Sequence, residues 1–137
     1  MPGLTRDRLT PKRAGSTLVA DPIAAGITLF TGGMYTLDAA GNAKPSVAAD
    51  KKPVRAVCTA HAAQAEGDTA QGERGIFCFE NSTGAAEVKR ADIGANAYVA
   101  DDHTVAKTGS SIAGEIVDLD DMGVWVHVGV AAVPTTA

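Results

Sequence analysis

Gly123-Val124-Trp125-Val126-His127-Val128-Gly129-Val130 sets valine at every even position and a different side chain at every odd one. Neighbouring side chains on an extended chain point to opposite faces, so this alternation predicts a strand with a valine face turned to a core. Trp125 and His127 share the other face. They either point outward or into a neighbouring subunit, or plug the second face of a two-sheet core. Upstream, Ile112, Ile116, Val117 and Leu119 supply the partner strand. Asp120, Asp121 and Gly123 suit the tight or left-handed geometry of the turn between them. A hairpin over 112–130 follows.

The same logic extends backward along the chain. Ala97 to Val99 and Thr104 to Lys107 read as strands. Ile76 to Phe79 is a strand with Ile76 and Cys78 on one face and Phe77 and Phe79 on the other. Both faces are apolar, which predicts a central position. Val54 to Ala62 reads as a further strand, closed by a turn at Glu66-Gly67-Asp68. The alanine run Ala60 to Ala65 has helical propensity but is too short to stand alone, and an extended form is expected. Ile27 with Leu29, and Met34 to Leu37, are two extended pieces around Gly32-Gly33. A turn at Asp38-Ala39-Ala40-Gly41-Asn42 follows, then a loop through Pro45, Lys51, Lys52 and Pro53. No long helix is indicated. The expected class is all-β or mostly β, with the short, regularly spaced strands of a barrel or sandwich.

At 137 residues the chain suits one domain with one core. The apolar share of 45% is largely alanine and only 4% is aromatic, so each core position contributes little buried area and the monomer's core is expected to be thin. Association with other copies or with a partner would offset that. The formal net charge of −4 is the wrong sign for a nucleic-acid binder, which needs a basic face to displace counterions. No apolar run has the length of a membrane span, and the start lacks a secretory signal's apolar core; a soluble protein made in the cytoplasm is expected. Charge is unevenly spread: Arg6, Arg8, Lys12 and Arg13 crowd the first stretch against Asp7 alone. Residues 1–16 therefore read as an extended basic arm, and residues 17–137 as a single β-rich domain.

Candidate chemistry stays incomplete. Asp118, Asp120 and Gly123 suggest a calcium loop, but Met122 holds a position that needs Asp or Asn, and Gly129 stands where a bidentate Glu belongs. His61, His103 and His127 lie on separate expected elements, and Cys58 with His61 is half a zinc site at most. Asp101-Asp102-His103 offers a carboxylate and a base without a nucleophile elbow, and Gly109-Ser110-Ser111-Ile112-Ala113-Gly114 lacks the Gly-x-Ser-x-Gly pattern. Cys58 and Cys78 have no redox or zinc spacing and are expected as buried free thiols. No catalytic residue, metal or cofactor is assigned, and a binding role is expected in place of an enzymatic one.

Four segments of the C-terminal half carry a resemblance: Arg90-Ala91-Asp92-Ile93-Gly94, Ala97-Tyr98-Val99-Ala100-Asp101-Asp102-His103-Thr104-Val105, Ala113-Gly114-Glu115-Ile116-Val117-Asp118 and Gly123-Val124-Trp125-Val126. In order and spacing they resemble the capsid cement, or head decoration, proteins of tailed bacteriophages and prophages. Ala25-Gly26-Ile27 and Tyr35-Thr36-Leu37-Asp38-Ala39-Ala40-Gly41 are similar more loosely, so the likeness spans residues 23 to 130. The resemblance implies a small β-barrel or β-tulip-like domain on the outer surface of the virion. It would act as a homotrimer, clamp neighbouring major capsid proteins and carry no catalytic residues. The arm lies outside the resemblance; its cations Arg6, Arg8, Lys12 and Arg13 suit an acidic groove between capsid subunits. The alternative from another class is a carbohydrate- or receptor-binding β module, which the scarcity of aromatics disfavours.

Overall fold

The computed structural model describes residue 3, residues 5–8 and residues 18–131. The chain is mostly β, as its pattern requires. In order, the strands are β1 (Leu18–Asp21), β2 (Thr28–Leu29), β3 (Met34–Leu37), β4 (Ala43–Pro45), β5 (Ala56–Cys58), β6 (Ala62–Ala63) and β7 (Ala70–Glu73) in the first half. The second half holds β8 (Ile76–Asn81), β9 (Asn96–Asp101), β10 (Thr104–Ala106), β11 (Ile112–Asp120) and β12 (Gly123–Val128). Single 3-10 turns at Ala48–Asp50, Gln64–Glu66, Gly84–Ala86 and Arg90–Asp92 are the helical elements among the described residues.

The first half forms a five-stranded sheet in the order β1-β7-β5-β3-β4, with β2 and β6 paired beside it. In the second half β10, β8, β12, β11 and β9 pair in a cycle that closes on itself. The β10–β8 pair is parallel and the rest of the cycle is antiparallel. The 112–130 hairpin is present, with β11 against β12 around an Asp121-Met122 turn. Val124, Val126 and Val128 are fully buried while Trp125 and His127 are half-buried on the other face. Each such valine contributes about 1.5–3 kcal/mol by leaving water.

The partner strand departs from simple alternation. Register shifts between Ile112 and Gly114 and between Ile116 and Asp118 leave Ile112, Val117 and Leu119 half-buried, with Ala113 and Ile116 as the inward residues. A bulge re-aims every side chain beyond it. Gly114 sits at the first shift with φ +155°, and a Cβ there would collide with the His127 carbonyl oxygen. Only glycine lets β12 approach so closely.

Two clusters replace the single core expected from length. Val88, Val99, Val105, Ile116, Phe79 and the β12 valines fill the ring, whereas Ile23, Leu29, Tyr35, Cys58 and four alanines fill the sheet. Met34, Val54 and Val57 come from the sheet half but pack in the ring's cluster, which makes the two halves neighbours. Backbone bonds fix the seam, from Met34 N to Asp102 O (2.7 Å) and from Val54 N to Ile112 O (2.9 Å). Ser111 Oγ donates to Ala48 O at 3.0 Å across the same seam.

Several expectations are corrected. The strand expected from Val54 to Ala62 is confined to Ala56–Cys58, because the chain leaves the sheet at Thr59 and re-forms only as Ala62–Ala63. The alanine run divides: its first part is extended, and Gln64–Glu66 makes a 3-10 turn ended by Gly67 at φ +75°. Part of the loop expected around Pro45 is the edge strand β4. Proline suits an edge, where its missing N–H costs no ladder bond. β8 does lie between two partners, but its Ile76 face is open, with Ile76 55% exposed. Cys78 shares that face, so only Cys58 is buried.

Candidate functional site

Arg6 and Arg8 of the arm are exposed, while Lys12 and Arg13 lie outside the described residues. Trp125 stands on the outer face of β12, opposite Cys78 on one side and Asp118 on the other. Its Nε1 donates to Asp120 Oδ2 at 2.9 Å, and Met122 N donates to Asp120 Oδ1 at 2.9 Å. One carboxylate thus holds the hairpin tip and the indole in a single geometry. The residues that invited a calcium reading are engaged here as turn formers.

Asp101, Asp102 and His103 do come together, in the turn between β9 and β10. Their ligand atoms lie within 4.8 Å of one another, and the group is largely exposed. His103 Nδ1 is 3.0 Å from Asp102 Oδ1, and Nε2 is 3.2 Å from Glu80 Oε2. The bond to Asp102, with help from Asp101, raises the imidazole's pKa above its ordinary value. Carboxylates at both ring nitrogens favour the protonated imidazole on this exposed loop, and the Thr104 hydroxyl is engaged by Asp101 beside it. His61 lies elsewhere, edge-on to Phe30 with ring centroids 5.2 Å apart, and His127 is on the ring's outer face.

The residues that composition hid form a buried polar triad in the sheet. Asp21 ends β1, and its carboxylate is almost fully covered, at 8% side-chain exposure. Tyr35 Oη donates to Oδ2 at 2.9 Å, and Arg55 reaches Oδ2 through Nε (3.2 Å) and Oδ1 through Nη2 (3.1 Å). The two-pronged guanidinium contact is the geometry that best compensates a buried carboxylate. Burial first, and the bond to Asp21 second, push the Tyr35 hydroxyl well above the usual phenol range, so it stays a proton donor. The Tyr35 hydroxyl occupies the space a Cβ would need at Gly72, which is why β7 carries glycine there. Asp21 and Arg55 each interrupt an apolar stretch, and a lone charge inside such a stretch is the signal that marks them.

Arg55 also lines a groove of about 460 Å³ between sheet and ring, together with Lys52, Arg74, Pro53, Val54 and Leu37. Arg74 Nη2 donates to Gly129 O at 2.7 Å. A second groove of about 340 Å³ is lined by both cysteines with Phe77 and Phe79. Burial raises both thiols above their ordinary values, leaving them protonated and poorly nucleophilic.

No family model matches the sequence, and no curated protein and no solved structure matches it either. Among the described residues no helix is long and apolar enough to cross a membrane.

Proposed function

We propose that this chain is a structural virion protein, a decoration protein that binds the outer surface of an expanded tailed-phage head and bridges neighbouring major capsid proteins. The observation that carries the proposal is where the resembling segments fall. Residues 97–105, 113–118 and 123–126 build β9 to β12 of the closed cycle, and residues 90–94 pack beside β11. The likeness therefore belongs to one continuous folded body. The surface suits contact with protein. Leu18, Phe30, Val47, Ile76, Met122 and Val130 are large apolar side chains left exposed. Trp125 and His127 supply a half-buried outer face next to Ile76 on β8. The basic arm, with Arg6 and Arg8, lies on the chain's acidic background and favours acidic partner surfaces.

Self-association, as a trimer in the resembling family, belongs to the same proposal. Several copies linked together raise the effective concentration of each weak capsid contact. A clamp that binds only the expanded lattice shifts the equilibrium toward it.

Co-sedimentation with heads of the phage or prophage that encodes the chain tests this. Saturable binding to expanded heads, with weaker binding to unexpanded shells, is expected; equal binding to both forms, or retention by neither, would end the proposal. A second reading, sugar or receptor binding, draws on Phe30, which is 63% exposed and edge-on to His61. Selective signals on a glycan array, lost in Phe30→Ala, would favour it.

A further inference from the structure

The ring has an acidic end and a basic end. β8 and β12 are antiparallel, with Phe79 opposite Val124, and Thr104 lies opposite both Glu80 and Asp101. Glu80, Asp101, Asp102, Asp120 and Asp121 therefore gather where β12 begins, with Asp118 close by. His103 and Arg90 are the cations bonded there; Arg90 Nη1 lies 4.0 Å from Asp118 Oδ1. Where β12 finishes, the groove beside Gly129 carries Lys52, Arg55 and Arg74. Arg55 is neutralised on its inner side by Asp21. Among the described residues, no ion pair engages Lys52 or Arg74. In the same groove, Asp38 has Oδ1 taken by the Ala40 and Asn42 amides. Asp38 keeps its negative charge, so the three cations of the groove stand against Asp38 and Asp21, and the concave surface is left with one net positive charge on a chain whose net charge is −4.

We infer that this groove receives the Asp120-Asp121-Met122 hairpin tip of a second copy. Charge selects the occupant, because the densest run of carboxylates on the chain stands at the opposite end of the same strand. The tip also matches the groove in apolar character. Met122 is 73% exposed, and the groove's walls include Leu37, Pro53 and Val54. The tip is already rigid, since Asp120 ties Met122 N and Trp125 Nε1, so little ordering is needed on docking. Asp121 is exposed and outside every ion pair among the described residues, which leaves its carboxylate for Lys52 or Arg74. Tip and groove are separated by the length of β12, about 20 Å at strand rise, so one copy cannot satisfy its own groove. The contact is head-to-tail, and such contacts close into rings when the rotation between copies allows. This inference rests on the self-association proposed above and names its surface.

Zero-length carbodiimide coupling of mixed ¹⁴N and ¹⁵N chains, read by mass spectrometry, tests it alongside sedimentation velocity. The expected result is a mixed-isotope amide between Lys52 and Asp121 or Asp120. Lys52→Glu is expected to weaken association about tenfold, and Asp121→Lys in the same chain to restore it by reversing both partners. Circular dichroism checks that each variant is folded. Oligomers that persist in Lys52→Glu, without that cross-link in the unsubstituted chain, would overturn the docking site and leave self-association standing. A chain that sediments as a monomer at every concentration would overturn both.

Discussion

Ring and sheet draw on one alanine- and valine-rich composition and stabilise themselves differently. The ring closes its hydrogen bonding on itself and fills its interior with β-branched side chains, Val99, Val105, Val124, Val126 and Val128 among them. The sheet's pairing order ends at β1 and β4, and half of its buried cluster is alanine, packed with Ile23, Leu29, Cys58 and the largest side chain, Tyr35. A small-residue interior contributes little transfer free energy per position. The sheet adds instead a polar device, Asp21 held by Tyr35 and Arg55, whose value lies in geometry: loss of the guanidinium leaves the buried carboxylate without its countercharge. One half is held by shape and apolar area, the other by a specific bond set.

That contrast breaks most visibly at Gly114. A valine there would drive its side chain into the His127 carbonyl and force β12 from β11. A loss of about 4 kcal/mol or more is expected, measured by chemical denaturation, with near-native stability counting against the tight β11–β12 approach. Arg55→Ala should come next, at about 2–3 kcal/mol, because it strands the Asp21 carboxylate; Arg55 is itself about one-third exposed (32% by side chain), which keeps the loss below that of a fully buried pair. Tyr35→Phe removes one bond while Arg55 stays in place, so about 1 kcal/mol is expected. A loss from Tyr35→Phe larger than that from Arg55→Ala would show that the phenol, not the guanidinium, compensates the carboxylate.

The smallest effect belongs to the acidic end of the ring. His103 has a folded-state pKa raised chiefly by Asp102. Its protonated form is favoured by folding, so its contribution is complete below the unfolded value of about 6.5 and is lost as pH rises through the folded pKa. With its side chain 59% exposed, the contribution is small and screened by salt. A slight fall in Tm across that window, absent in His103→Gln and flattened at high ionic strength, is the expected outcome of calorimetry. An equal fall in His103→Gln would assign the titration elsewhere.

The same contrast explains which elements are legible in the sequence. Valine and isoleucine announce a face by their spacing, so β12, the hairpin and β8 to β10 were legible in the sequence. Alanine and glycine announce nothing: Ala43, Ala56, Ala62, Ala70 and Gly72 are buried, yet the same residues would serve equally on a surface. For that reason β4 and β7 carry no signal in the sequence, and the strand expected over 54–62 is longer than the one that forms. Bulges in β11 are set by the close approach at Gly114 and by pairing with β9, which no local pattern encodes. Among candidate contact residues, Trp125 and His127 stood out by alternation. Lys52 and Arg74 did not, because they are 22 positions apart in sequence and meet only where sheet and ring adjoin.

The central proposal is that this chain serves by coating a protein shell. The most direct measurement is a cryo-electron reconstruction of the phage particle proposed to carry it. The account predicts density for the closed ring of strands on the outer face of the expanded head, lying over contacts between major capsid proteins. An outer surface without that density, with the chain located in the tail or missing from the particle, would contradict it.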